Sequence, residues 1–374
     1  MMDFTRRNRS HRENPDYLEK QIVTYLGNKR ALLPFIGMGL EIVKEELGKD
    51  KLVFADLFSG TGIVARYAKQ HADHIIVNDL EAYSRVTNEC YLSNRSGVDP
   101  LELEHLSSLL EERILSTWGT GFLTDLYAPK DEGRITRTDR VFYTRRNAMY
   151  LDTARKAIEE VVEEGKRKYF LGPLLAAASV HANTSGVFKG FYKSKEGIGQ
   201  FGGQGKNALT RILGEIEIGT PVFSNFETSF EVHQQDTNQL IHDLDHVDIA
   251  YLDPPYNQHP YGSNYFMLNL ICDYIPPREV SRISGIPKQW NRSKYNRRRE
   301  AESMLFEVIR SCKAEFVMIS YNSEGFISQQ KFLDALDSCG EVRVLETPYN
   351  TFRGSRNLRN RAIHVTEFLY LLRK

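Results

Sequence analysis

The chain of 374 residues is short of cysteine and tryptophan, four and two respectively, and carries no net charge, with 49 lysines and arginines against 49 acids. Cys90, Cys272, Cys312 and Cys339 are scattered without metal-ligand spacing. That argues against a zinc site and a disulfide-stapled secreted domain, and for a reduced, cytoplasmic protein. No stretch approaches the roughly 18 apolar residues of a membrane helix. The basic start (Arg6, Arg7, Arg9, Arg12) has no apolar stretch behind it, so it does not read as a secretory signal. No Gly-Lys-Ser/Thr occurs, which excludes a Walker loop, and no internal repeat is present. Neutrality removes any global field toward nucleic acid, so such a partner would have to be met by local patches. The basic stretches are 288–299 and 353–361, whereas 99–112 and 159–164 are acid-rich.

What is present centres on Tyr251-Leu252-Asp253-Pro254-Pro255-Tyr256-Asn257, which follows Val247-Asp248-Ile249-Ala250. A short, mostly apolar run of this kind reads as a buried strand. Two prolines cannot extend a central strand, so the chain must leave the sheet there, with Asp253 at the carboxyl end. Ligands of open α/β sheets bind outside those ends. The residues suit an exocyclic base amine, whose lone pair is delocalised into its ring. Asp253 can accept one N–H and the Pro254 carbonyl the other, because Pro255 fixes the local backbone and leaves that carbonyl off a ladder. Tyr256 offers a face on which an unpaired base can stack.

Earlier in the chain, Lys51 to Asp56 reads as a strand, Leu57-Phe58-Ser59-Gly60-Thr61-Gly62 as a Gly-containing turn, and Ile63 to Gln70 as a helix. The glycines permit close backbone approach to a ligand, but the third glycine of a dinucleotide fingerprint is missing. An acid just before them would repel a pyrophosphate and welcome an ammonium, such as that of a methionine moiety. His74 to Asp79 reads as a second strand ending in an acid, the usual place of a ribose-hydroxyl acceptor. Phe230 to Asp236 resembles a third. Tyr25-Leu26-Gly27-Asn28-Lys29-Arg30 leads into a helix from Ala31 to Leu47, and a cation at a helix start, against the dipole, hints at an anionic ligand. Residues 1–19 are polar and are expected to form a loose arm.

Between Ser96 and Asn225 the pattern turns helical, with amphipathic stretches 101–115 and 147–164 and an apolar one over 169–180. A polar, Gly-rich loop follows over 181–206, whose amides, hydroxyls, lysines and aromatics are types that touch bases and phosphates.

Taken together, Tyr25 to Arg30, Asp56 to Gly62, Asn78-Asp79, Asp236 and Asp253-Pro254-Pro255-Tyr256 resemble the motifs of the DNA adenine methylases. Their order, with an insert before the Asp-Pro-Pro-Tyr motif, is similar to that of Dam-type enzymes and the methylases of restriction systems. The likeness covers about residues 20–95 and 226–372. It implies an α/β fold: a Rossmann-like class I methyltransferase with a mixed seven-stranded sheet. The catalytic domain would comprise 20–95 and 226–374, with a mainly helical target-recognition subdomain at 96–225. It implies S-adenosyl-L-methionine as cofactor, no metal, and double-stranded DNA as partner, with a separately encoded restriction endonuclease as a possible second one and no membrane.

On the same footing, Asp56 would face the methionine amine, and Phe58, Ser59 and Gly60 would line the cofactor. Asp79 would take the ribose, Asp236 the cofactor's adenine amine, and Tyr25 and Lys29 the methionine carboxylate. Asp253, Pro254, Pro255 and Tyr256 would hold the target adenine, with Asp253 also bordering the cofactor. Base reading is expected from Asn183, Lys189, Gln204 and Lys206, and phosphate contact from Arg297, Arg298, Arg299, Arg353 and Arg356. Methylation of RNA adenine or of the cytosine 4-amino group is the alternative chemistry, and a non-catalytic DNA-binding module the alternative class.

Overall fold

A computed structural model describes residues 12–20, 22–350 and 364–374. The strands are β1 (Leu52–Asp56), β2 (Ala72–Asn78), β3 (Ser229–His233), β4 (Val247–Leu252), β5 (Ala314–Asn322), β6 (Glu341–Asn350) and β7 (His364–Arg373). They form the expected mixed seven-stranded sheet, in the order β3-β2-β1-β4-β5-β7-β6. β1 to β5 pair in parallel, whereas β7 runs antiparallel to both β5 and β6. Every residue of β4 is buried, as a parallel strand covered on both faces requires.

The chain winds outward from β1 through β2 to β3, then returns to start again at β4 beside β1. The strand order therefore reverses between β1 and β4, and a crevice opens outside their carboxyl ends. Pairing of Asp56 with Tyr251 sets Asp56 beside the stretch that leads to Asp253.

One face of the sheet is covered by the helix Leu33–Leu47, which buries Leu33, Ile36, Leu40 and Val43 against Met318, Leu369 and Leu371. Their spacing of three to four residues makes one stripe, and burial of each such side chain contributes roughly 1.5–3 kcal/mol. The opposite face carries Thr237–Asp243 and Ala301–Ser311, through Leu240, Ile241, Leu305 and Ile309.

The helices Pro100–Ser116, Arg145–Val161 and Lys168–Val180 fill the inserted region. Their core is not separate. Leu151 and Leu174 belong to the same apolar cluster as Tyr83, Phe266 and Leu268, so the insert and the catalytic part share one interior.

The loose arm expected over residues 1–19 is contradicted for its second half. Pro15–Glu19 is a helix capped by Asn14, Tyr17 is buried, and its hydroxyl donates to the Tyr91 carbonyl at 2.5 Å. The Arg66 guanidinium lies 5.2 Å from the Tyr17 ring. An aromatic amid polar residues was the available signal.

Candidate active site

The crevice at the ends of β1 and β4 is a cleft open to solvent at its mouth. Tyr25, Lys29, Asp56, Phe58, Ser59, Gly60, Asp79, Asp236, Asp253 and Pro255 all line it, so motifs spread over more than 200 positions of sequence converge on one cleft.

Asp56 ends β1 and is buried, and its Oδ1 has no hydrogen-bond partner among the described residues. Burial, and then the neighbouring Asp253 carboxylate, push its carboxyl well above the ordinary range. Such an acid is a seat waiting for a cation. The turn beyond it depends on glycine. Gly60 and Gly62 have φ of 52° and 74°, and a Cβ on Gly62 would stand 2.2 Å from Asn88 Oδ1.

Asp79 is not the cap of the following helix, where Glu81 holds that position. It accepts the Gly60 amide at 2.8 Å and the Glu81 amide at 3.0 Å, and burial raises its pKa to about 6. Asn78 brackets the next loop, donating to the Gln235 carbonyl at 3.1 Å and accepting the Gln235 amide at 3.1 Å. The stretch Phe230 to Asp236 is only partly strand. β3 stops at His233, and Asp236 caps the helix Thr237–Asp243 through the Asn238 amide at 2.9 Å while still bordering the cleft.

Asp253 lies on the cleft floor with 18% of its side chain exposed. Lys29, expected at a cofactor carboxylate, is instead committed to acids. Its Nζ is 3.2 Å from Asp253 Oδ1 and 3.6 Å from Glu367 Oε2 on β7. Burial opposes the Lys29 charge, but Asp253 and Glu367 hold its pKa well above the lysine norm. Burial raises Asp253 to about 6, with Lys29 pulling down and Glu367 pushing up.

Pro254 is buried, and among the described residues nothing donates to its carbonyl. Tyr256 is half-buried and packs edge-to-face with Tyr321, ring centres 5.8 Å apart. Tyr25 packs against both Tyr261 at 5.0 Å and Tyr265 at 4.8 Å in a three-ring cluster, and its ring lies against Gly60. The Leu26 backbone is pinned on both sides, since its amide donates to the Tyr265 hydroxyl and its carbonyl accepts from Tyr261.

Sequence reasoning missed one wall. The segment 291–296, taken for part of a basic patch, also borders the cleft through Asn291, Ser293, Tyr295 and Asn296. Asn291 donates to the Leu80 carbonyl at 2.9 Å, Tyr295 to Asn238 Oδ1 at 2.7 Å, and Asn296 to the Asn257 carbonyl at 2.8 Å. Asparagines interleaved with the cations were the signal. Glu81, raised by burial to about 7, was also missed, and it bonds Asn291.

The proposed DNA contacts divide. Asn183 is fully buried, donating to the Val141 and Gln200 carbonyls at 2.7 and 2.9 Å and accepting the Gly202 amide at 2.9 Å. It braces its own loop and cannot read a base. Phe188 and Phe191 of the same loop are core residues around Phe142. Lys189, Gln204 and Lys206 are exposed. Burial first and the Lys189 charge second lower the pKa of His259, three residues past Tyr256, so Lys189 stands near that loop. Arg297, Arg298 and Arg299 are exposed just beyond the 291–296 wall, with Arg297 tied to Glu300 at 2.9 Å. Arg353 and Arg356 lie outside the described residues. Among the described residues no cluster of His, Cys, Asp and Glu is arranged to hold a metal, and no helix is long and apolar enough to cross a membrane.

Comparison with known proteins agrees with this geometry. The profile of the D12 class N6 adenine-specific DNA methyltransferases matches residues 25–334. The chain is 29% identical to the type II methyltransferase M.NlaIII of Neisseria lactamica, over 94% of this chain and 99% of that protein. It is 29% identical to M.CviAII of Paramecium bursaria Chlorella virus 1, over 88% and 93%. It is 26% identical to M.FokI of Planomicrobium okeanokoites, over 94% of this chain and 52% of that longer protein.

Proposed function

Because this chain belongs to the D12 class N6 adenine-specific DNA methyltransferases, we propose that the cleft holds S-adenosylmethionine beside an adenine swung out of duplex DNA, with Asp253 and the Pro254 carbonyl as the groups that orient the reacting amine. The observation that carries the reading is the pairing of two acids at the ends of adjacent strands. Asp56 keeps a buried, unpartnered oxygen, and Asp253 lies beside a proline carbonyl free of donors among the described residues.

The residues fit the cofactor. Asp56 Oδ1 would accept its ammonium, Asp79 its ribose hydroxyls, and Asp236 its adenine amine, with Phe58 and Tyr25 as apolar walls. When bound, it supplies an electrophilic methyl group on a sulfonium. Everything else is the work of the chain. The Asp253 carboxylate and the Pro254 carbonyl accept the two N–H groups of the adenine amine, which draws the nitrogen from planar toward tetrahedral and concentrates its lone pair. Tyr256 supports the face of the extruded base, whose unstacking costs roughly a few kcal/mol. Positioning of the two reactants provides most of the acceleration, with a ceiling on the order of 7–11 kcal/mol. No covalent link between protein and DNA is required. The relatives are type II methyltransferases, and we place this chain likewise in a restriction-modification system, with site-specific methylation of duplex DNA and a separately encoded endonuclease as its counterpart.

The test uses purified protein, duplex DNA and methyl-labelled S-adenosylmethionine, with the product nucleosides separated by mass spectrometry. Label in 6-methyladenine is the expected result. Label in 4-methylcytosine, preference for RNA, or no transfer at all would overturn the reading.

A further inference from the structure

We infer that Glu367 is a positioning residue for methyl transfer: through Lys29 it fixes the Asp253 carboxylate where the target amine must meet it and sets the charge of that corner of the cleft. The inference rests on the proposed role of Asp253.

The topology makes the contact. β7 is antiparallel to β5, so its first residues lie at the end of the sheet where β4 and β5 finish, which is the end that carries the cleft. There Glu367 pairs in register with Asn322, the last residue of β5, whose side-chain amide reaches Glu367 Oε1 at 3.4 Å. The other oxygen, Oε2, is buried with no hydrogen-bond donor among the described residues and faces the Lys29 ammonium at 3.6 Å. Lys29 is 4% exposed and Glu367 2%. An unpaired carboxylate at that depth would be strongly unfavourable, and so would an unpaired ammonium. Each therefore holds the other, and the ammonium is left with Asp253 as its second anion.

The consequence is a charge balance of opposite signs around one carboxylate. Lys29 favours the ionised, accepting form of Asp253, whereas Glu367 disfavours it. The other groups facing this corner are Asp56 from β1, Tyr251 from β4, Tyr256 and Tyr261 after it, and Tyr349 from β6 beside Lys29. Burial raises all four tyrosines, so they stay neutral where carboxylates titrate. A spacer that only filled volume would not act on Asp253 with a sign.

The experiment follows that sign. In protein labelled with carbon-13 at aspartate carboxyls, the Asp253 resonance is assigned by its loss in Asp253→Asn and titrated in wild type, Lys29→Met and Glu367→Gln. Single-turnover methyl transfer is followed over the same pH range. Lys29→Met should move the Asp253 titration up by about one pH unit or more, and Glu367→Gln should move it down by at least about half a unit. The acidic limb of the transfer rate should follow in each case. A Glu367→Gln protein whose Asp253 titrates unchanged or higher overturns the inference. So does a titration shift that the rate limb does not follow. Because the resonance is read without turnover, a failure here is distinct from absence of adenine methylation.

Discussion

The floor of the cleft and the loop over 181–206 are both rich in polar side chains, yet the positions of the first can be read from sequence and those of the second cannot. Asp56, Asp79 and Asp253 are placed by the sheet. A strand that ends in an acid delivers that acid to the carboxyl edge, whatever follows it. The loop has no such frame. Its asparagine turned inward to satisfy three backbone groups, two of its aromatics joined the core, and its exposed polar residues came forward. A polar residue at a strand end therefore reports on ligands, whereas one in a long loop must first provide for the loop's own backbone.

The contrast can be broken or sharpened by mutation, and the largest effect belongs to the floor. Asp253→Ala should keep the fold and the cofactor while lowering the transfer rate about 100- to 1000-fold, the usual loss when a preorganised polar group at a reacting centre is removed. Single-turnover rates with saturating cofactor decide it, and a near wild-type rate would remove Asp253 from the chemistry.

Next comes Asp79. Loss of a charged acceptor costs about 1.5–3 kcal/mol, so Asp79→Ala should weaken cofactor binding at least about tenfold near neutral pH. The pH dependence has a definite sign. Burial raises Asp79 to about 6, so wild type protonates it below that pH and loses the ionised acceptor. Wild-type affinity should fall as pH drops through about 6, and the gap to the mutant should close. Calorimetric titration at pH 7.5 and pH 5 measures both, and a gap that stays constant would refute the ribose role.

Within the loop, Asn183→Ala should lower stability by about 1–3 kcal/mol, because it strands buried backbone groups. Denaturant melts show this directly. Sequence preference of the folded fraction should be unchanged, while Lys189→Ala and Gln204→Ala should leave stability alone and change preference. The opposite pattern would reverse the division drawn above.

The smallest effect is expected at the rim. Neutralising Arg297, Arg298 and Arg299 together should weaken binding to all duplexes alike and flatten the salt dependence by roughly 0.9 in log–log slope per lost phosphate contact. Because Arg297 already pairs with Glu300, the fall should be nearer two contacts than three. Binding curves on cognate and scrambled duplexes at several salt concentrations test it.

What sequence made legible follows the same physics. The strands β1, β2 and β4, the Gly60–Gly62 turn and the delivery of Asp56, Asp79 and Asp253 to one edge could be read because each is fixed by a local rule, either a buried run or a turn that only glycine accepts. Glu367 could not. It lies inside the strand His364–Arg373 with no turn or glycine beside it, and its partner Lys29 is 338 positions away. Lys29 was expected at an anionic ligand, and the anions beside it in the structure are Asp253 and Glu367 of the protein itself. The helices Thr237–Asp243, Ala301–Ser311 and Gln329–Leu336 also escaped, since all three are short enough that tertiary packing decides them.

The placement of β7 between β5 and β6 bears on how the enzyme is made. During synthesis β6 emerges before the strand that joins it to the sheet, and Lys29, Asp56 and Asp253 are all translated before Glu367. A nascent chain paused at residue 363 therefore has every residue that lines the cleft but lacks the strand that carries Glu367. Pairing over such separations is slow to form, because chain closure is paid before the contacts reward it. Modification competence should then arrive abruptly once β7 has been made and paired, and not as a ramp during elongation.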